Sequence, residues 1–464
     1  MTKAQATHTT TFVAVIAGIG MFLSTLDSGI INIAVPFFIQ IFHATLNTVI
    51  WTVTLYALVI SASIMIFGKL ADRYGRLKIY VMGLTLFAIS SLLCGLSPSI
   101  KFLITFRVFQ GLGAAMMQAT AIAVITTKLE KEEMTKAIGL LGMLMGLGPT
   151  LGPVLGGFIL STIGWRWIFW LNIPICLYAL YGCYRLKGAN EILHPQSLNY
   201  FNLFLFGISM FLLLLSMNYM KKNITLALFL LGCTLITALL HILIEVNSRR
   251  PIINYQLFKN ISFTAPMIGV IALGGATAIA FILPPLFFEK LRHFAAWQIG
   301  LVSVSASCGI VITSKIFGEF NEVFGKNITM IIGLAIMTIS LILLAKINID
   351  WNTSLIFALL FCYGFGVGLF MTSNILHLTA QFSLEKQGFI SSLIRMIQNA
   401  AVAFGAAGSA MVISTRSTVT PNLLLGIQHA WLLAAALSFL ALIALIYMYI
   451  KTNGRSTQNH EATS

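Results

Sequence analysis

Charge is the scarcest commodity in this chain. Only 9% of its 464 residues are Asp, Glu, Lys or Arg, and just 13 are acidic, where an average soluble protein is about 25% charged. A soluble globule of this size cannot hide the complementary apolar surface, so lipid is the solvent for most of it. Cysteines number six, all inside apolar runs and with no CxxC pair, which argues for small buried hydrophobes and against a disulfide framework. No GxxxxGK[ST] nucleotide loop and no HExxH metal motif occurs, so neither ATP-driven work nor zinc hydrolysis is indicated. Nothing alternates with period two over ten-residue stretches, which excludes an outer-membrane barrel. Soluble enzymes, secreted scaffolds and disordered chains fall away together. The net charge of +15 comes from basic residues spread through short connectors, a pattern that orients a membrane protein rather than binding nucleic acid.

The apolar share is 58%, with 34 Phe and a mean hydropathy of +0.93. Crossing a hydrocarbon core takes about 20 apolar residues in a helix. That ruler finds segments near 12–36, 48–68, 79–97, 102–124, 137–160, 166–185, 198–218, 224–245, 263–288, 297–317, 328–347, 353–378, 388–413 and 429–450. The first is long enough to be a retained span and carries Asp27, unlike a cleaved signal peptide. An even number of spans puts both termini on one side. Eighteen of the 28 Lys and Arg residues fall on that side and eight on the other, with Arg107 and Arg395 left inside or at the edge of spans. The termini are therefore expected in the cytoplasm.

The connector after the second span reads Gly68-Lys69-Leu70-Ala71-Asp72-Arg73-Tyr74-Gly75-Arg76-Leu77-Lys78. Its glycines permit a tight reversal, and its ordered charges suit helix capping and pairing. A solvated, positive-inside turn would explain the basic residues but not both glycines and the Asp at this spacing. This stretch resembles the signature loop of the major facilitator superfamily. Three more stretches are similar to motifs of its fourteen-helix drug:proton antiporters, the EmrB- and QacA-like exporters. They are Leu26-Asp27-Ser28-Gly29-Ile30-Ile31-Asn32-Ile33-Ala34-Val35-Pro36, with Gly29 where Thr is usual, Arg107-Val108-Phe109-Gln110-Gly111-Leu112-Gly113, and Gly148-Pro149-Thr150-Leu151-Gly152-Pro153-Val154-Leu155-Gly156-Gly157. Trp165-Arg166-Trp167-Ile168-Phe169 with Asn172 and Pro174 matches the entry to that class's sixth helix. Gly318-Glu319 and Gly325-Lys326 look like a degraded copy of the first loop, without its Asp-Arg core.

The resemblance implies an all-α polytopic membrane protein of major facilitator fold, two six-helix bundles plus two inserted helices. The bundles would be residues 1–190 and 255–450, the insertion 191–254, and the tail 451–464 cytoplasmic. It implies a transporter, not an enzyme, in the inner (cytoplasmic) membrane. Such a protein exports hydrophobic compounds, cations foremost, in exchange for protons by alternating access, needing no cofactor and no metal. Its partners are those substrates, protons and lipid. An exporter of one native metabolite, such as a siderophore or antibiotic, is the first alternative. A membrane receptor or membrane-embedded enzyme is the second, but no catalytic cluster and no sensory domain is seen.

Asp27 is the one acid well inside a span. An acid at the centre of a span costs about 3 kcal/mol on insertion scales, so it is expected to face protein or water and to be functional. A purely structural hydrogen-bonding Asp is the competing reading. Arg107 begins a polar stripe with Gln110, Gly111, Ala114 and Gln118, and snorkelling to the near surface is its alternative. Helix rise puts Asp27 about 13 Å and Arg107 about 8 Å below the same surface, within reach of each other if, as the resemblance implies, both helices line one cavity. These two are the expected proton-coupling pair. Asp27, Asn32, Tyr56, Gln118, Phe281, Phe361 and Tyr363 are the expected substrate contacts. Gly68, Asp72, Arg73, Gly75 and Arg76 are the expected conformational elements, as are Gly148, Pro149, Gly152, Pro153, Gly156 and Gly157. On one reading the last six kink their helix and let a neighbour pack closely; on the other, which the resemblance implies, that helix lies at the seam between bundles, where close packing seals one side against proton leak. The run at 364–368 reads as packing glycines. Glu289, beside Lys290 and Arg292, is expected to pair locally, with attraction of cationic substrate as the lesser reading; His241 and His377, near cytoplasmic helix ends, are expected to be satisfied or solvated rather than proton relays, and Arg395 to reach water.

Overall fold

A computed structural model describes residues 3–129, 131–186, 199–220, 223–248, 255–294, 296–382, 387–414 and 420–461. Among these, regular structure is entirely helical, because a backbone in lipid must satisfy its own polar groups. The helices are α1 (Lys3–Ile41), α2 (Leu46–Val49), α3 (Trp51–Tyr74), α4 (Arg76–Gly95), α5 (Ile100–Lys128), α6 (Lys131–Thr162), α7 (Trp167–Trp170), α8 (Asn172–Arg185), α9 (Tyr200–Tyr219), α10 (Ile224–Val246), α11 (Ile261–Lys290), α12 (Ala296–Leu344), α13 (Thr353–Thr379), α14 (Gln387–Ser414) and α15 (Thr420–Glu461). A short 3-10 turn at Tyr255–Lys259 precedes α11.

Every expected span lies on a helix. Among the described residues twelve are long and apolar enough to cross a membrane unaided, and α6 makes a thirteenth as a bent pair. The last is the apolar stretch Val304–Thr313 in the first part of α12. The bend in α6, 45° between Lys136–Pro149 and Val154–Thr162, falls where two prolines remove backbone donors. Helix α12 holds two expected spans and breaks at Gly325, whose φ of 72° lies in the left-handed region that glycine enters freely.

Gly75 ends α3 with a φ of 105°, and it stands 250 residues before Gly325. His43 and His293, the two non-glycine residues of positive φ among those described, have the same separation. The halves thus repeat their first two turns in register, which the sequence shows only as loop glycines. In that register Glu322 corresponds to Asp72. It is exposed.

The chain divides into two compact units. The first comprises residues 1–252 together with the start of α14, Phe382–Met396. Here α1 lies along α6, α5 packs on α3 and α4, and the α9–α10 hairpin attaches through α9 to α3. Phe38 meets Trp165 edge-on at 5.7 Å and stacks on Phe169 at 6.4 Å. The Trp165–Phe169 motif thereby pins the end of α1, and with it the depth of Asp27. The second unit comprises residues 253–381 and 397–464. In it α12 packs on α13 and α11 on α15.

Two expectations are corrected. Arg395 is buried and donates to the Met145 sulfur, instead of reaching water. Glu289 pairs locally with Lys290 at 2.8 Å, as expected, while Arg292 donates to the Ile349 and Trp351 carbonyls and to Thr353 Oγ1. Glu245, the last residue of the expected span 224–245, is buried as well, so Asp27 is not the one deep acid.

Candidate functional site

Asp27 and Arg107 are joined as their depths anticipated. Asp27 is 1% and Arg107 0% exposed, and Arg107 Nη1 donates to Asp27 Oδ2. The other carboxylate oxygen accepts from Gln110 Nε2 at 3.1 Å and Asn172 Nδ2 at 3.3 Å. Arg107 also donates through Nε to the Thr52 carbonyl at 3.0 Å and through Nη1 to Gln110 Oε1 at 2.7 Å. Its guanidinium lies 3.9 Å from the Tyr56 ring centroid, within cation–π range. Gln110 is held in turn by Ser91 Oγ at 2.9 Å, and Cys94 Sγ lies 3.7 Å from its oxygen. Five helices, α1, α3, α4, α5 and α8, therefore meet on one buried ion pair. A buried pair needs further hydrogen bonds to both partners, and among the described residues every polar side-chain atom of this pair has a hydrogen bond except Arg107 Nη2.

One helical turn from Asp27, the Ser24 carbonyl accepts from Tyr56 Oη at 3.2 Å, and Ser24 Oγ accepts from Gln118 Nε2 at 3.1 Å. Tyr56 and Gln118 thus belong to the same polar core. Asn32 does not; its side chain is exposed on α1. Phe281, Phe361 and Tyr363 lie in the second unit, where Tyr363 Oη is 3.4 Å from Thr277 Oγ1. Thr277 stands 250 residues after Asp27, so the second unit places a neutral pair where the first has its acid.

The α6 glycines serve this site. A Cβ on Gly148 would meet the Leu26 nitrogen at 2.8 Å, on Gly152 the Gly29 Cα at 2.8 Å, and on Gly156 the Ile30 Cα at 3.2 Å. These i, i+4 positions form one face against α1, on the residues flanking Asp27. Gly29, where Thr is usual, is itself part of that close crossing. Gly157 faces open space, and Pro149 lies at the bend. The side chains of Thr150 and Pro153 are outside those described.

In the turn at 68–78, Asp72 accepts from the backbone nitrogens of Gly388 at 3.0 Å and Phe389 at 2.9 Å, and from Arg76 Nη2 at 3.2 Å. It is an acid at the first turn of α14, where orphan N–H groups and the helix dipole favour negative charge. Gly68 lets α14 approach, since a Cβ there would meet the Gly388 carbonyl at 2.8 Å. Arg73 lies over the rings of Tyr74 and Tyr200 at 5.3 and 5.7 Å. Asp72→Asn keeps one acceptor but loses the charge, a loss of about 1 kcal/mol or roughly fivefold in equilibrium. Labelling of a cysteine at Ser392, which packs on Met65, should rise by that factor in a background without the native cysteines.

Asn172, Ser91, Cys94 and Thr52 were not anticipated as site residues. Only Asn172 carried a signal, as an amide in a span quoted for its motif.

The sequence matches the profile of the Major Facilitator Superfamily over residues 17–246 and 267–463. The chain belongs to the major facilitator superfamily. As a member it is a multi-pass membrane transporter, not an enzyme. It is 33% identical over 451 residues to the riboflavin transporter RibZ of Clostridioides difficile, covering 95% of this chain and 98% of that one. It is 30% identical to the multidrug transporter protein MdtP of Bacillus subtilis, covering 86% and 74%. With the probable multidrug resistance protein EmrY of Escherichia coli it shares 28% over 67% and 62%. The fold is also that of the human organic anion transporter MFSD10, with a TM-score of 0.68 over 94% of this chain and 99% of that one at 13% identity.

Proposed function

We propose that this major facilitator transporter exports hydrophobic compounds, cations foremost, across the inner membrane in exchange for protons. Residues 1–190 and 255–450 would be its two bundles, with both termini cytoplasmic. The observation that carries the reading is the buried Asp27–Arg107 pair with its reserve of partners. A cationic substrate competing for the carboxylate leaves Arg107 still held by Gln110 Oε1, the Thr52 carbonyl and the Tyr56 ring. A proton arriving at Asp27 from outside has the converse effect and weakens substrate binding. One acid then serves antiport, with substrate and proton excluding each other. Asn32, Phe281, Phe361 and Tyr363 are retained as proposed substrate contacts. Asp72 is proposed to hold the cytoplasmic side closed by capping α14.

The test is substrate-induced proton release from purified protein in detergent, with lipophilic cationic dyes, neutral drugs and riboflavin as probes. Release by several unrelated cations supports multidrug antiport. Release by none overturns the coupling. A second reading, transport of one metabolite of flavin type, is favoured by the near end-to-end match to RibZ, and a response to riboflavin alone would establish it. The topology predicts that a tag at Asn223 is reachable from outside intact cells and that a reporter after Lys451 reads cytoplasmic. Protection of the Asn223 tag would overturn the placement of α9 and α10.

A further inference from the structure

The inserted hairpin α9–α10 carries a buried polar chain that the Asp27 site does not use. Asn202 Nδ2 donates to the Glu245 carboxylate, and Asn202 Oδ1 lies 2.8 Å from His241 Nδ1. Glu245 is 2% and His241 4% exposed. With its nitrogen donating to Glu245, the amide of Asn202 presents its oxygen to the imidazole. That oxygen in turn demands a proton on Nδ1. The second ring nitrogen, Nε2, is left buried with no hydrogen-bond partner among the described residues. The Phe206 ring lies 5.2 Å from the imidazole, near enough to favour a cation there.

Joining two helices in lipid does not require this set. Hydroxyls and amides bridge helices without burying ionisable groups, and ionisable groups kept within spans are expensive and functional by default. We propose that His241 Nε2 is a proton-binding site separate from Asp27, and that its occupancy is felt at the turn carrying Asp72. Nε2 is buried, so it takes its proton when the base of the hairpin opens locally to water on that face. Nδ1 keeps its bond to Asn202, and the Glu245 carboxylate, one amide away, balances the new charge. Asn202 is two residues from Tyr200, whose hydroxyl lies 2.7 Å from that of Tyr74 and whose ring lies under Arg73. A shift at the base of α9 therefore bears directly on the residues following Asp72. Among the described residues, the titratable and charged groups at this end of the packed helices are Glu245 on α10, Tyr200 on α9, and Lys69, Asp72, Arg73 and Tyr74 on α3. Of these, Lys69 lies over the Phe389 ring and Asp72 is engaged by Arg76 and α14.

This site does not depend on coupling at Asp27, and its first readout needs no transport. Full-length protein labelled with 15N-histidine is titrated by NMR between about pH 5 and 8. One imidazole should pass from the Nδ1–H neutral form to the doubly protonated form. Its signal should vanish in His241→Gln and titrate at a different pH in Glu245→Gln, which keeps an acceptor for Asn202 and so keeps the hairpin closed. In proteoliposomes, His241→Gln should flatten the dependence of transport on pH at the face bearing the 68–78 turn, while the plateau rate and Asp27-dependent proton release remain. If His241→Gln does not accumulate, the displaced titration in Glu245→Gln carries the test. A His241 signal that stays neutral across the range, or transport profiles that superimpose on the parent, would reduce the chain to interhelical glue and overturn the proposal.

Discussion

Asp27→Asn is expected to reduce substrate-induced proton release to background while the protein still inserts and binds some substrate. The amide cannot carry the proton, and the substitution leaves Arg107 a buried cation without its counter-charge. Breaking a buried pair from one side costs about 3–5 kcal/mol. The lower end is expected here, because Gln110, Thr52 and Tyr56 still hold the guanidinium. Stability and function can be separated by the neutral double variant Asp27→Asn/Arg107→Gln. It should recover much of the lost stability, since neither charge remains buried alone, yet proton release should stay absent. Arg107→Lys should rescue only in part, because an ammonium cannot span the carboxylate, the Thr52 carbonyl and the Tyr56 face at once. Should Asp27→Asn release protons like the parent, Asp27 is a structural acid and the coupling lies elsewhere.

Gly152→Val should be nearly as damaging although it touches no charge. The new Cβ would stand 2.9 Å from the Leu26 carbonyl and 2.8 Å from the Gly29 Cα. Both are main-chain atoms, so no side chain can swing aside and α1 itself must move. Overpacking of this kind costs about 1–3 kcal/mol. The displaced segment carries Asp27, so the contacts to Arg107, Gln110 and Asn172 shift with it. Transport per molecule should fall by about tenfold or more, as 1.4 kcal/mol is one decade, and the melting temperature should drop. Gly157→Val is the control. Its Cβ would meet nothing within 4 Å, so stability should stay within about 0.5 kcal/mol. Equal damage from both substitutions would show that the α1–α6 crossing does not govern the site.

Composition alone determined that this chain lives in lipid, and the length of its apolar runs determined that it crosses as helices. Every expected span falls on one, because the hydrocarbon core admits no other backbone arrangement for such a sequence. The Asp27–Arg107 pair was legible for a related reason. Opposite charges this deep must meet something, and helix rise put them at similar depths. Asn172, Ser91, Cys94 and Thr52 were not legible, since ordinary small polar residues gain meaning only when separate helices bring them together. In α6 the prolines fall at the bend and three of the glycines pack on α1, as the reading of a kink with a close neighbour expects. Only the packed structure shows that this face flanks Asp27. Glu245 and Arg395 mark the limit of reading depth from sequence. Each lies near the end of a span, where a residue counter assigns water, and each is buried because a neighbouring helix closes over it. Burial at a helix end is a property of the neighbour, which one helix's own residues do not encode.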